Sequence, residues 1–178
     1  MQKSLISNPP YNMRWKHPAL MHMMPQYLGW QEPPESNANF AFILAALPKI
    51  TGKAVFLLPC GVLSTNNANE RAIRKALIDD NLISAVLTLP DQMFESTSIP
   101  TCILVIEKER KTRKIEMIDM RNTFESEIRD QNGQFGGASH EGRTYHKKVK
   151  VFTEKQINQA VNAVNDLISE EGYCKAAV

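Results

Sequence analysis

Three short apolar runs leave this chain little freedom in how it folds: Ala54-Val55-Phe56-Leu57-Leu58, Ala85-Val86-Leu87-Thr88-Leu89 and Cys102-Ile103-Leu104-Val105-Ile106. Continuous runs of this length, ended by Pro59-Cys60-Gly61 and by Pro90 in the first two, are typical of strands covered on both faces. Helical patterns alternate with them. Phe40, Ile43, Leu44 and Leu47 fall at i, i+3, i+4 and i+7 behind a candidate cap at Ser36, and this helix should stop near Pro48. Asn67 and Glu70 have capping-box spacing ahead of Ile73 and Leu77, which gives a helix to about Asp80. The alternation predicts a layered α/β sheet with helices on its faces. Ile115-Glu116-Met117-Ile118-Asp119 mixes polar and apolar residues and reads as a half-exposed strand nearer an edge.

At 178 residues the chain is one domain, or one domain with an appendage. Its formal net charge of +2 provides no global basic field, so any basic groove would have to be local. Cys60, Cys102 and Cys174 are odd in number and lack metal spacing, and they read as reduced thiols, buried at Cys60 and Cys102. No run reaches the about 18 apolar residues of a membrane helix, and no leader pattern is visible, so a cytoplasmic protein with no membrane contact is expected.

The front of the chain carries chemistry. Leu5-Ile6 reads as a short strand, and Asn8-Pro9-Pro10-Tyr11 follows it. An ordinary proline turn is one reading of this tetrapeptide. The other is a clamp for a flat amino group: the Asn8 side-chain oxygen accepts one N–H, the Pro9 carbonyl accepts the second, and Tyr11 stacks on the attached ring. Trp15, His17, Met21, Met23, Met24, Tyr27 and Trp30 then follow among prolines up to Pro34, either as a flap over a pocket or as an aromatic loop that packs down. His17 and His22 alone do not make a metal site.

The composition shifts near Arg121, which divides the chain into 1–121 and a flexible connection with a terminal helix over 122–178. Gly133, Gly136, Gly137 and Gly142 lie close together in the connection, with neither the strand nor the helix that a phosphate loop needs. Arg143, His146, Lys147, Lys148 and Lys150 form a local basic cluster, to be read as a solvated strand or as a contact to a nucleic-acid backbone. Thr153 and Gln156 cap a last helix whose stripe of Ile157, Val161, Val164 and Ile168 should face the domain or a partner subunit.

Taken in order, these residues resemble the amino-group DNA methyltransferases, specifically the methylation subunits of type I restriction-modification systems. The tetrapeptide Asn8 to Tyr11 looks like the N6-adenine catalytic motif. Pro33 to Phe42, Gly52 to Leu63, the group Arg71, Arg74, Lys75 and Leu77, then Leu89-Pro90 with Phe94, and Thr97 to Val105 resemble the same subfamily in the same order. Tyr145 to Leu167 is more loosely similar to the helical end of its catalytic domain. The resemblance implies a partial Rossmann-like fold with a mostly parallel sheet, helices on both faces and its first strands missing. It also implies methyl transfer from S-adenosylmethionine to an adenine flipped out of DNA, with Asn8, Pro9, Pro10 and Tyr11 as catalytic residues and no metal. Phe40 and Phe42 become candidate cofactor contacts or core residues, and Arg143, Lys147 and Lys148 candidate DNA contacts. Implied partners are DNA and the specificity and restriction subunits.

Departures from the family pattern shape further expectations. The family binds its cofactor mainly through a glycine-rich turn and an acidic residue ahead of the tetrapeptide, and here only seven residues precede Asn8. The chain is thus expected to supply the half of the sheet from the family's fourth strand onward, with Leu5-Ile6 at an open edge. It would be a truncated product, a fragment or half of a split enzyme, inactive unless another chain supplies the rest. Asn39 and Ala45 stand where these subunits often have an acidic residue and a histidine, and the stretch Glu125 to Gly142 has no counterpart. Two alternatives remain: a protein-glutamine methyltransferase, which grips a side-chain amide with a similar turn, and a non-catalytic remnant acting as an interaction module.

Overall fold

The computed structural model describes residues 4–19, 21–24, 27, 29–94, 97–132, 144–165 and 171–177. In chain order its elements are β1 (Leu5–Ser7), α1 (Asn39–Ala46), β2 (Lys53–Pro59), α2 (Gly61–Ser64), α3 (Ala68–Asp79), β3 (Ile83–Thr88), β4 (Thr101–Glu107), β5 (Ile115–Asp119), β6 (Glu125–Asn132), β7 (Thr144–Val151), α4 (Glu154–Val164) and β8 (Cys174–Ala177). Six strands form one sheet in the order β1-β2-β4-β3-β5-β8, and β6 pairs with β7 in a separate ribbon. Parallel pairing joins β1 to β2 and β3 to β5, whereas β4 runs against both β2 and β3, and β8 against β5. Hence β1, β2, β3 and β5 point one way and β4 and β8 the other, in a mixed sheet.

Strand side chains alternate between faces, and the two faces are covered differently. Ala54, Phe56 and Leu58 of β2 join Phe40, Ile43 and Leu44 of α1 and Ile73 and Leu77 of α3 in one buried cluster. On the opposite face Ala85, Leu87, Val105 and Ile118 pack with Ala160 and Ala163 of α4. Residues from both sides of position 121 therefore share that second cluster. The three apolar runs became β2, β3 and β4 as expected. In β2 only one face is fully buried: on the other, Val55 borders an open apolar cavity of about 410 Å³ under α4, and Leu57 is partly buried against the second cluster.

Local chemistry sets the helix ends. The Asn67 side chain accepts the Glu70 N–H at 3.1 Å and caps α3, and Thr153 and Gln156 cap α4 reciprocally. Ser36 does not cap α1, which begins at Asn39 with Asn37 Oδ1 accepting the Asn39 N–H at 3.3 Å. On α4 the small residues Ala160 and Ala163 face the sheet, while Ile157 and Val161 stay half exposed over the cavity. The expected stripe holds in part: Val164 packs against the second core cluster, while the buried contacts are made by Ala160 and Ala163, whose short side chains allow the closest approach. Ile168 lies outside the described residues.

Of two further segments, one follows the second of its two sequence readings and the other departs from its pattern. The stretch after Trp15 packs down, with Met21 and Tyr27 buried and Trp15, Met24 and Trp30 against the first core cluster. Trp15 Nε1 donates to the Pro34 carbonyl at 2.9 Å. Residues 125–132, expected within a connection, form β6, whose partner is the basic strand β7. Its one apolar residue, Ile128, is exposed, so backbone pairing and cross-strand contacts such as His146–Asp130 hold the ribbon without a periodic apolar signal. The glycine cluster falls outside the described residues. Leu77 is fully buried where α3 meets the sheet, and Leu77→Ala should lower unfolding free energy by about 2–5 kcal/mol in urea titration.

Candidate active site

β1 ends at Ser7, which lies opposite Phe56 of β2, so the following Asn8-Pro9-Pro10-Tyr11 emerges beside the carboxyl end of β2. The carboxyl end of β3 lies there too, because the chain turns back after Thr88 and enters β4 with Thr101 opposite Pro59. Ligands of open α/β sheets bind at this end of the strands. Here Asn8, Pro9, Pro10 and Tyr11 line a cavity of about 340 Å³ together with Phe94 and Thr97 from the loop between β3 and β4.

Within the tetrapeptide Pro9 is buried, Tyr11 is half-buried, and Asn8 and Pro10 are exposed. Burial, with a smaller contribution from the nearby Cys102, pushes the Tyr11 phenol above its ordinary pKa. It therefore stays a neutral wall at physiological pH. Phe94 and Thr97 face each other in an isolated antiparallel bridge, and Thr97 Oγ1 accepts the Ile99 N–H at 3.1 Å. Two backbone bonds hold the base of the loop: Leu89 N to the Thr101 carbonyl at 3.0 Å and Cys60 N to the Pro100 carbonyl at 2.8 Å.

The turn is anchored from behind. Asn12 takes φ +51°, a left-handed conformation that Asn tolerates better than most residues. Its N–H donates to Asn39 Oδ1 at 3.1 Å, and its Oδ1 accepts from Asn39 Nδ2 at 3.0 Å. The Ala38 N–H also reaches the Met13 carbonyl at 2.8 Å. Asn39 is 4% exposed at the start of α1, so the tetrapeptide is tied to a helix embedded in the core. Only an amide both donates and accepts here; an ionised acid at position 39 could not donate to Asn12. The departure at Asn39 thus has a partner in Asn12.

Other polar groups at this end are structural. Cys102 is fully buried, its thiol pushed up to about 12 by burial and by the adjacent Cys60, whose own pKa burial also raises. Both are therefore poor nucleophiles near neutrality. Hydrogen bonds from Arg121, with a smaller contribution from Thr88, hold the Asp119 carboxyl at the end of β5 well below the usual carboxylate range. Among the described residues no group of three His, Cys, Asp or Glu side chains could hold a metal ion.

The remaining candidates disperse. Phe40 is 2% exposed in the core, and Phe42 is half-buried; neither lines the cavity. Arg143 lies outside the described residues. Lys147 and Lys148 are neighbours on β7 and so project from opposite faces of the ribbon, Lys147 opposite Arg129 and Lys148 opposite Ile128. They do not form one patch. Lys150 bonds to Asp91. Phe94 and Thr97 were missed as site residues, although their place just after a strand's carboxyl end was a usable signal.

The N-6 DNA Methylase family model matches residues 1–178. The methylase subunit of the type I restriction enzyme MpnII from Mycoplasma pneumoniae is 32% identical over 177 residues, covering 95% of this chain and 31% of the relative. The HindI methylase subunit from Haemophilus influenzae is 33% identical over 121 residues, covering 66% of this chain and 27% of the relative. The crystal structure of a type I restriction-modification methyltransferase subunit from Streptococcus thermophilus superposes with a TM-score of 0.81 at 26% identity, covering 98% of this chain and 34% of that one. The chain thus spans about a third of the length of these relatives. Since Asn39 carries the anchor of the tetrapeptide, Asn39→Ala should cost about 1–3 kcal/mol in denaturant unfolding, the range for a buried polar partner left unpaired.

Proposed function

The chain belongs to the N-6 DNA methylase family, and on that premise we propose that it carries the methyl-acceptor side of an adenine-N6 DNA methyltransferase of the type I restriction-modification class. The observation that carries the proposal is the convergence of Asn8, Pro9, Pro10, Tyr11, Phe94 and Thr97 on one cavity at the carboxyl end of the sheet. An exocyclic amino group conjugated to a purine is a weak nucleophile. Asn8 Oδ1 and the Pro9 carbonyl accept its two N–H groups and orient the nitrogen for attack. Proline at position 9 provides a carbonyl without a competing N–H. Tyr11 and Phe94 supply aromatic faces for the base, worth about 1–3 kcal/mol per stacked base. Those contacts offset the few kcal/mol needed to take a base out of the duplex.

S-adenosylmethionine is the proposed donor, and it supplies an electrophilic methyl group. Among the described residues the cavity lining offers neither a carboxylate for a ribose nor a glycine turn for close backbone approach, which suits the acceptor better than the donor. We assign the donor site to the part of the family fold that this chain does not match, with duplex DNA, a specificity subunit and a restriction subunit as the other partners, in the cytoplasm. The donor-binding part could also be supplied by a separate chain. The identity of the relatives supports DNA over a glutamine side chain as the acceptor. No helix among the described residues is long and apolar enough to cross a membrane.

The experiment pairs the chain with a family segment supplying the first strands and offers labelled S-adenosylmethionine to duplex DNA and to a glutamine peptide. Label should appear on adenine N6 only, and Asn8→Ala should lower kcat by about 10²–10³, as loss of one positioned hydrogen-bonding group does elsewhere. Label on the peptide, or full activity of Asn8→Ala, would overturn the assignment.

A further inference from the structure

The loop from Pro90 to Pro100 contributes Phe94 and Thr97 to the cavity, and its base is fixed by backbone bonds to β2 and β4. Two residues past Leu89, at Asp91, the loop is also held by a side chain from another element. Lys150 Nζ, near the end of β7, bonds to Asp91 Oδ1 and lies 4.6 Å from the centroid of the Phe124 ring. The Lys150 side chain is 24% exposed, whereas Asp91 is 59% exposed. Phe124 belongs to the link between β5 and β6, and Lys150 lies opposite Ser126. One ammonium group therefore joins the pocket-wall loop, the start of the ribbon and its returning strand.

We propose that Lys150 is a positioning residue for the adenine pocket, holding the Phe94–Thr97 wall in place through Asp91, so that the β6–β7 ribbon braces the site without touching the base. The proposal rests on the acceptor-pocket reading above. It also takes Lys150 out of the basic cluster that sequence offered as a phosphate contact. The two roles differ in a measurable way: a phosphate contact releases counterions when DNA binds, and an internal tether does not.

Hydrogen exchange read by mass spectrometry on the full chain tests the tether directly. Lys150→Met should speed exchange in peptides covering residues 91–99 by about fivefold, the sum expected of an exposed ion pair and a cation–π contact, and Asp91→Asn, which leaves the Phe124 contact in place, by about twofold. Lys150→Arg should restore protection, and peptides from β2 and α3 should be unchanged. Unchanged exchange at 91–99 in Lys150→Met would overturn the proposal. A second readout is fluorescence anisotropy with a labelled duplex bearing an unpaired adenine. Lys150→Met should weaken binding by about the same factor while leaving the slope of log K against log salt unaltered. A slope reduced by about one unit would instead make Lys150 a phosphate contact and defeat the tether. Failure of the wild-type chain to bind the duplex would count against the acceptor-pocket reading alone, because exchange at 91–99 decides the tether without DNA.

Discussion

The geometry of the site depends on β4 running against its two neighbours. It pairs with β2 along the whole length of both strands, from Lys53 opposite Glu107 to Pro59 opposite Thr101, and with β3 on its other side. An antiparallel strand in that slot brings the chain back to the carboxyl ends of β2 and β3 before it enters the sheet. The loop carrying Phe94 and Thr97 is thereby placed beside the tetrapeptide that leaves β1. A parallel strand in the same slot would enter the sheet from the opposite end, and the cavity would lose that wall. Cys102 and Leu104 of β4 also lie in the first core cluster and Val105 in the second, so the same strand ties both layers together.

Behind the tetrapeptide the decisive contact is the amide pair Asn12–Asn39. It converts a left-handed turn, which would otherwise cost free energy, into a fixed connection to α1. Together with the buried Pro9, it ties the β1 side of the cavity to the core. On the loop side the wall is held by backbone bonds at its base and by Lys150 through Asp91. Such anchoring bears on the proposed methyl transfer, which rests on orientation of the reacting group, with little covalent work for the protein to do.

Much of the sheet was legible in the sequence because burial writes itself as pattern. The runs at 54–58, 85–89 and 102–106 announced β2, β3 and β4, and the spacing of Ile73 and Leu77 marked the inward face of α3. The ribbon was not legible as a whole, because β6 has only Ile128 as an apolar residue and that side chain faces solvent. The short β8, Cys174–Ala177, has too few residues for any periodicity. The inward face of α4 was legible only in part, at Val164, because Ala160 and Ala163 are weak signals next to Ile157 and Val161, although small residues permit the closer packing. In the site, the tetrapeptide was visible as a motif, but Phe94 and Thr97 join it only through the return of the chain into β4, a long-range fact. The placement of Lys150 against Asp91, separated by 59 positions, is of the same kind.

The central claim is that this cavity recognises an exocyclic amino group through Asn8 and the Pro9 carbonyl. The most direct test compares the affinity of the chain for two duplexes that differ in one unpaired base, adenine in one and purine without the amino group in the other. The account predicts about tenfold preference for adenine, corresponding to about 1.4 kcal/mol for the lost hydrogen bonds, and loss of most of that preference in Asn8→Ala. Equal affinity of the wild-type chain for the two duplexes would contradict it.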